Sequence, residues 1–173
     1  MIKTLLFVTL TSLMIPSVHH GTQISELFSI DMNHIEEKNE IFYADYKIKI
    51  SKKDFNCLAQ NIFYESGIES YEGKLAVAQV TYNRLKSGRW GKSFCKVIYA
   101  PKQFSWTNQK KKPPKGELWE ESKLAAKNFI NGARLSSLID STHYHADWIK
   151  TPKWAKNIES VDEIGQHIFY VIK

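Results

Sequence analysis

Residues 51–85 read SKKDFNCLAQNIFYESGIESYEGKLAVAQVTYNRL, and at helical spacing the first part of this stretch carries one apolar stripe. Glu65 extends the stripe, because it lies three residues after Ile62 and seven after Leu58. A helix that only filled a core would have an apolar side chain at that position. The stretch therefore combines a core-forming helix with a carboxylic acid on its apolar face. The residues of the stripe are Phe55, Leu58, Ala59, Ile62 and Phe63.

An acid in such surroundings has a predictable chemistry. Burial removes water from a carboxylate and disfavours its charged form, so the pKa of Glu65 should be raised and the group protonated near neutral pH. Glu65 could then act as a general acid. The alternative is an ordinary glutamate at a helix end, which is solvated or pairs with one of the many cations of the chain.

The signals for helix ends predict three long helices. Ser51 has the type and position of an N-cap, and Gly67 is expected to end the first helix in a left-handed cap. Ser70 is a candidate cap for a second helix. The spacing predicts another helix over 117–131, with Gly132 as its stop.

Strand-like alternation is confined to the end of the chain, in residues 142–145 and 167–172. The sequence therefore predicts a mainly α fold, or α+β with a small sheet element. The chain has 173 residues, of which 43% are apolar, and this suits a single domain with its own hydrophobic core.

Charge is distributed unevenly along the chain. Residues 46–116 contain 15 basic and four acidic residues, a formal charge of +11, whereas residues 24–45 carry −5. A basic surface attracts a polyanion, which could be nucleic acid, anionic lipid or a carboxylate-rich cell-wall polymer. Charge alone does not choose among these partners, and the lysines could also serve only solubility.

The N-terminus has the pattern of an export signal. Lys3 precedes an apolar run from Leu5 to Ile15, so residues 1–21 are interpreted as a signal peptide or signal anchor. Residues 2–18 could associate transiently with a membrane. Residues 22–46 are interpreted as an acidic tether or peripheral arm. Export to the periplasm or cell envelope argues against nucleic acid as a partner.

The two cysteines fit an exported protein. Cys57 and Cys95 are the only ones in the chain, and an even count outside the reducing cytosol favours a disulfide. Such a bridge would tie the helix that carries Glu65 to the segment after the second helix. The alternative is two buried free thiols.

Two carboxylates near each other are the first candidate for catalysis. Glu65 and Glu69 would be stacked on one helix, but Gly67 lies between them, so Glu69 is expected on the turn that follows. Glycosidic cleavage uses one protonated and one charged carboxyl group. A single glutamate also suffices if a hydroxyl of the sugar attacks and closes an internal ring.

A zinc site is the second candidate. His143 and His145, with Asp147 and His167, could supply three protein ligands and leave one position open. The alternative is a set of ordinary hydrogen-bonded histidines. Nucleophilic catalysis by serine or cysteine is poorly supported, because the sequence has no G-x-S-x-G motif and both cysteines are better explained as a bridge.

Aromatic residues could bind a polysaccharide, because sugar rings present apolar faces that stack on aromatic side chains. Any one of them is more often a core residue than a ligand contact. The aromatic residues that fall in loops or beside the candidate sites are Tyr64, Tyr71, Trp90, Phe104, Trp106, Tyr144, Trp148 and Trp154.

Six segments, in order and with matching spacing, resemble the cell wall hydrolase family that includes the spore-cortex-lytic enzymes SleB and CwlJ and phage endolysins. They are Glu65-Ser-Gly-Ile-Glu69, Gly73-Lys-Leu-Ala-Val-Ala-Gln-Val-Thr-Tyr-Asn83-Arg84, Cys95, Gln103-Phe-Ser-Trp106, Thr142-His-Tyr144 and His167-Ile-Phe-Tyr170. The resemblance covers about two thirds of the chain, from Cys57 to Tyr170.

The resemblance implies a lysozyme-like, lytic-transglycosylase-like fold and a catalytic domain over residues 47–173. That domain would cleave the MurNAc–GlcNAc bond of peptidoglycan and leave an anhydro-muramyl end, with Glu65 as the catalytic glutamate and no metal or cofactor. The chain departs from the family where Ser66-Gly67-Ile68 replaces Ala-Arg-Gly, which removes an arginine beside the acid.

Supporting roles follow from the same resemblance. Glu69 is assigned to the catalytic site beside Glu65, and we expect a monomer. The rival interpretations are a zinc-dependent N-acetylmuramoyl-L-alanine amidase using His143, His145 and His167, and a non-catalytic wall-binding module. The residues assigned to substrate binding are Asn83, Gln103, Phe104, Ser105, Trp106, His143, Tyr144, His167 and Tyr170.

Overall fold

The computed structural model describes residues 40–172. The interpretations of residues 1–21 as an export signal, of 2–18 as a membrane contact and of 22–39 as part of an acidic arm lie outside the described residues. Of the helices between residues 40 and 172, none has the length and apolar character needed to cross a membrane.

Helix α1 spans Lys52–Ser66 and begins as the sequence predicts. The Ser51 hydroxyl accepts a hydrogen bond from the Asp54 backbone N–H at 3.0 Å, which satisfies a donor that the first turn leaves free. The predicted left-handed cap at Gly67 is wrong, because Gly67 has φ −57° and ψ −30°. On this chain's backbone a Cβ atom at Gly67 would collide with the carbonyl oxygen of Phe63, so a larger residue there would require the turn to shift.

Helix α2 spans Tyr71–Ser87 and is capped by Ser70, whose hydroxyl accepts from the Gly73 N–H at 3.3 Å. The left-handed cap occurs at the end of this helix instead, at Gly88, where φ is 71°. The short helix α3 spans Phe94–Ile98, and α4 spans Glu117–Ile130, which confirms the long helix predicted there.

The core lies where α1, α2 and α4 pack against one another. Leu58 and Ile62 of α1, Val77 of α2 and Phe129 of α4 are fully buried. Cys57 and Cys95 form the predicted disulfide, with their Cα atoms 5.3 Å apart, which joins α1 to α3. Closing a loop of this length contributes about 3–4 kcal/mol on the chain-entropy model.

Two small antiparallel sheets complete the fold. Strand β1, Ile41–Tyr43, pairs with β2, Ala133–Leu135. The other sheet has the order β3-β5-β4. Its strands are β3 His143–Ala146, β4 Asp162–Ile164 and β5 His167–Tyr170.

The folded domain begins earlier in the sequence than expected, because it includes strand β1. Residues 22–46 were expected to form a peripheral arm, but Ile41–Tyr43 pairs with β2, and the Ala44 N–H donates to the carbonyl of Gly132 at 2.8 Å. The folded part of the chain therefore includes residue 41 and does not begin at residue 47.

Candidate active site

Glu65 lies in the last turn of α1, and its carboxylate is held from the side of the three-stranded sheet. The hydroxyl of Tyr144, on β3, donates a hydrogen bond to Oε2 of Glu65 at 2.9 Å. Loss of water around the half-buried carboxyl raises the pKa of Glu65. The Tyr144 hydrogen bond and the charges of His167 and Arg84 act in the opposite direction. Glu65 is thus a desolvated acid with groups nearby that can stabilise its anion.

Tyr144 is suited to remain a donor. Burial, followed by the negative charge of Glu65, raises the pKa of Tyr144 well above its ordinary value. Its ring meets the ring of His167 edge to face, with centroids 4.7 Å apart. The hydroxyl therefore stays protonated and directed at the carboxylate over the whole neutral range.

Arg84 supplies a cation to this site and was not among the residues selected from the sequence. Its Nε donates to the carbonyl of Thr142 at 2.7 Å, and its guanidinium carbon lies 5.0 Å from the ring centre of Phe104. Within residues 40–172, the buried Nη1 of Arg84 has no hydrogen-bond partner. Arg84 could have been identified from the sequence, because it directly follows Asn83 in the Asn-Arg motif. It provides positive charge near Glu65.

Glu69 lies behind the wall of the site. Its buried Oε1 is 3.0 Å from Nδ1 of His167, close enough for an ion pair when the imidazole is protonated, although the contact does not have the geometry of a hydrogen bond. Gly73 and Gly165 both face Oε2 of Glu69, and a Cβ atom on either would collide with that oxygen. The two glycines therefore leave room for the carboxylate against His167.

A cleft of about 470 Å³ opens in front of Glu65. It contains Glu65 and five of the residues assigned from the sequence to substrate binding, namely Gln103, Phe104, Ser105, Tyr144 and His167. The segment between β3 and β4 adds aromatic side chains that are largely exposed, since Trp148 has 66% and Trp154 has 40% of its surface exposed. The cleft thus combines one acid, three cationic or cationisable groups and stacking surfaces. Tyr64, Arg84, His145, Ala146, Ile149 and Pro152 complete its lining.

Three residues assigned to substrate binding point into the core. Asn83 donates from Nδ2 to the carbonyls of Leu138 at 2.9 Å and Ser141 at 2.8 Å. Trp106 donates from Nε1 to the side-chain oxygen of a buried asparagine on α1 at 2.9 Å, and the Tyr170 hydroxyl is 3.0 Å from a histidine nitrogen on β3. Each of these side chains is buried and its polar group is occupied within the protein, so their direct contact with substrate stays a prediction that this geometry does not favour at the cleft; Trp106 also lines a smaller neighbouring cavity.

His143 lies outside the cleft, although it was assigned to sugar binding. Its ring is packed between Trp90 and Trp154, with centroids 5.8 Å and 5.5 Å away. Burial, followed by the charges of Arg84 and Arg89, lowers the pKa of His143. A neutral imidazole in this position supports Trp154 from behind the cleft.

The strand register separates the histidines of the proposed zinc site. His143 is opposite Tyr170 and Ala146 is opposite His167, so His143 and His145 share one face of the sheet while His167 lies on the other. His145 also has both ring nitrogens within 3.0 Å of oxygen partners, the carbonyl of Ala146 and the hydroxyl of Tyr170. In the described part of the chain, no group of three His, Cys, Asp or Glu residues is placed to hold a metal ion.

The sequence profile of the cell wall hydrolase family matches residues 68–170, a segment that starts just after Glu65 and includes Glu69. A spore cortex-lytic enzyme of Bacillus subtilis is 30% identical over 136 residues, which are 76% of this chain and 42% of that protein. A spore cortex-lytic enzyme of Oceanobacillus iheyensis is 28% identical over 123 residues, 69% of this chain and 42% of that protein. The chain thus spans about two fifths of the length of these relatives.

Solved structures agree with this likeness. The catalytic domain of the Bacillus cereus SleB protein matches with a TM-score of 0.62 at 28% identity, covering 70% of this chain and 92% of that one. The catalytic domain of the germination-specific lytic transglycosylase SleB from Bacillus anthracis matches with a TM-score of 0.59 at 29% identity, covering 70% and 96%. The mainly α, lysozyme-like fold expected from the sequence is confirmed. The chain belongs to the cell wall hydrolase family.

Proposed function

We propose that the protein degrades peptidoglycan by cleaving the MurNAc–GlcNAc glycosidic bond as a lytic transglycosylase. The observation that carries the proposal is the Glu65 carboxyl, desolvated at the wall of the cleft and bonded to Tyr144 at 2.9 Å. Similarity to spore cortex-lytic enzymes, and to a catalytic domain described as a lytic transglycosylase, supports the same reaction class.

The reaction needs one residue in two roles. Glu65, whose protonated form is favoured by burial, gives its proton to the glycosidic oxygen as the bond to the anomeric carbon breaks. A hydroxyl of the same muramyl sugar then attacks the anomeric carbon and returns its proton to the Glu65 carboxylate. The products are a free hydroxyl on one fragment and an anhydro-muramyl end on the other, and the enzyme is regenerated.

The groups around Glu65 act on its charged form, which is the form that occurs between the two proton transfers. Tyr144 stabilises the carboxylate by a hydrogen bond, and the positive charge of Arg84 favours the same state. Because Arg84 is fixed to the Thr142 carbonyl at 2.7 Å, its charge is already in place before the bond breaks. We assign Glu69 the role of positioning His167 from behind the wall.

The cleft would hold the sugar by stacking and hydrogen bonding. The exposed rings of Trp148 and Trp154 provide apolar surfaces for the faces of sugar rings. Gln103 and Ser105 also line the cleft and can bond to hydroxyl and acetamido groups. This proposal places the glycan across the cleft with the scissile bond at Glu65.

The proposed setting is the cell envelope or periplasm, with the protein exported and acting as a monomer on glycan strands. The signal pattern of residues 1–21 and the Cys57–Cys95 disulfide support export, because disulfides persist outside the reducing cytosol.

The decisive experiment compares Glu65→Gln with the wild type on purified peptidoglycan. Glutamine keeps the shape of the side chain but cannot donate and take back the proton, so the rate should fall by about 10² to 10⁴-fold. Products are identified by mass spectrometry. Glu117→Gln, the same change at an exposed position of α4, is the control and should keep wild-type activity.

The products also separate the alternatives. Anhydro-muramyl ends support a transglycosylase, whereas reducing ends would replace it with hydrolysis. Release of free stem peptides would indicate an amidase, and binding without any release would indicate a wall-binding module. A fully active Glu65→Gln variant would refute the assignment of the acid.

A further inference from the structure

A second cavity of about 300 Å³ lies beside the cleft. We call it the side cavity; Tyr64, Tyr99, Trp106, Lys111, Pro113 and Pro114 are its principal walls. Tyr64 lines both the side cavity and the cleft, and it directly precedes Glu65. The side cavity is therefore the space next to a substituent on a sugar bound at Glu65.

The wall between the two spaces is built by consecutive residues. Gln103, Phe104 and Ser105 line the cleft, whereas Trp106 and Thr107 line the side cavity. Trp106 is fixed in place, because its indole N–H donates to a buried asparagine at 2.9 Å and its ring centre lies 4.5 Å from that of Tyr64. Two of the aromatic walls, Tyr64 and Trp106, are thus held in place by contacts within the protein.

The rim of the side cavity is cationic and anchored. The Tyr64 hydroxyl donates to the backbone carbonyl of Lys112 at 2.7 Å, which holds the lysine-rich loop against α1. Lys111 lines the cavity and is exposed. Residues 86–116 contain nine lysines and arginines and no aspartate or glutamate. No carboxylate of this segment is therefore available to neutralise the rim.

Aromatic and proline walls beside an exposed lysine fit a short peptide with free carboxylates better than they fit the hydroxyl groups of a sugar. We propose that the side cavity binds the stem peptide carried by the muramyl sugar in the cleft. The proline and aromatic walls contact the aliphatic part of the peptide, and Lys111 pairs with a carboxylate. This inference rests on the proposed function, because it requires the muramyl sugar at Glu65.

The test measures binding separately from cleavage. Dissociation constants of the Glu65→Gln protein are determined by fluorescence anisotropy for labelled soluble glycan strands, either with intact stem peptides or stripped of them by an amidase, with the lactyl carboxylates left by the amidase converted to amides. The peptide-bearing strands should bind more tightly. Adding Lys111→Gln should reduce that preference about threefold to fivefold, the range of a partly exposed ion pair.

Lys110→Gln is the matched control. It removes the same charge from the adjacent residue of the loop, which does not line the side cavity, so the preference should be retained. Converting the carboxylates of the stem peptides to amides should abolish the preference for peptide-bearing strands. This should hold for both proteins that keep Lys111, namely Glu65→Gln alone and Glu65→Gln with Lys110→Gln.

The inference is overturned if the protein shows no preference for peptide-bearing strands, or if Lys110→Gln and Lys111→Gln reduce that preference equally. The proposed function fails in a different way: wild-type protein would release no glycan fragments. A preference dependent on Lys111 in a protein that cleaves nothing would leave the peptide site standing and remove the reaction.

Discussion

At the scale of single residues, Glu65 is governed by opposing influences of known origin. Burial favours the protonated acid, and Tyr144, His167 and Arg84 favour the anion. In the proposed reaction Glu65 first gives and then receives a proton, which needs both influences, because either one alone would hold it in a single state. Of these groups, Tyr144 contacts the acid directly, because its hydroxyl oxygen lies 2.9 Å from Oε2 of Glu65.

Tyr144→Phe should therefore change both rate and pH dependence. Hydrogen bonds to charged groups are worth about 1.5–3 kcal/mol, so kcat should fall by about tenfold to 100-fold. Removing a bond that favours the anion raises the pKa of Glu65 further. Because the reaction starts from protonated Glu65, activity is lost as pH rises through this pKa, and the alkaline limb of kcat/KM should move to higher pH.

The control for this change is Tyr170→Phe, which removes a hydroxyl that lies 3.0 Å from His145 and makes no contact with the acid. Its alkaline limb should coincide with that of the wild type. The influence assigned to this hydrogen bond would be contradicted if the alkaline limb of kcat/KM in Tyr144→Phe stayed in place or moved to lower pH.

At the scale of elements, two neighbouring residues of α2 do different work. Arg84 reaches the cleft, whereas Asn83 holds the segment before β3 by donating to the carbonyls of Leu138 and Ser141. Asn83→Ala should leave both buried carbonyls without this donor and lower the free energy of unfolding by about 1–3 kcal/mol. Urea denaturation measures this loss, with the exposed Asn108→Ala as a control that should stay near wild type.

The same substitution distinguishes the two assignments of Asn83. If it contacted the substrate, as the sequence suggested, the variant would show a raised KM at unchanged stability. If Asn83 instead anchors the segment before β3, the variant should show a lower free energy of unfolding. A variant of full stability and impaired KM would restore the original interpretation.

Elements differ in how far local sequence determines them. The starts of α1 and α2 were predictable, because Ser51 and Ser70 act within the next three residues. Strand β1 was not, because Ile41–Tyr43 is short and pairs with residues 133–135, about 90 positions away. The direction in which Asn83 and Arg84 point depends on packing against the sheet, which periodicity alone does not specify.

At the scale of the whole molecule, the candidate site joins the helical part to the sheet. Glu65 and Arg84 come from α1 and α2, while Tyr144 and His167 come from β3 and β5, so the bond between Glu65 and Tyr144 closes a loop of 79 residues. The resemblance to cell wall hydrolases identified most of these residues one by one. It did not predict that Glu69 lies behind the wall, because that depends on the space left by Gly73 and Gly165.

The charge of the whole chain, +6 overall and +11 within residues 46–116, makes salt a test of substrate recognition. Exposed lysines attract an anionic wall polymer over distances that salt screens, with a Debye length of about 10 Å at 0.1 M. Raising salt from about 20 to about 500 mM should therefore raise KM on intact peptidoglycan severalfold. Since Arg84 is buried and fixed, kcat should change little. A short uncharged glycan fragment should show no such rise in KM, and a rise equal for both substrates would mean that salt acts on the fold and not on the attraction between enzyme and wall.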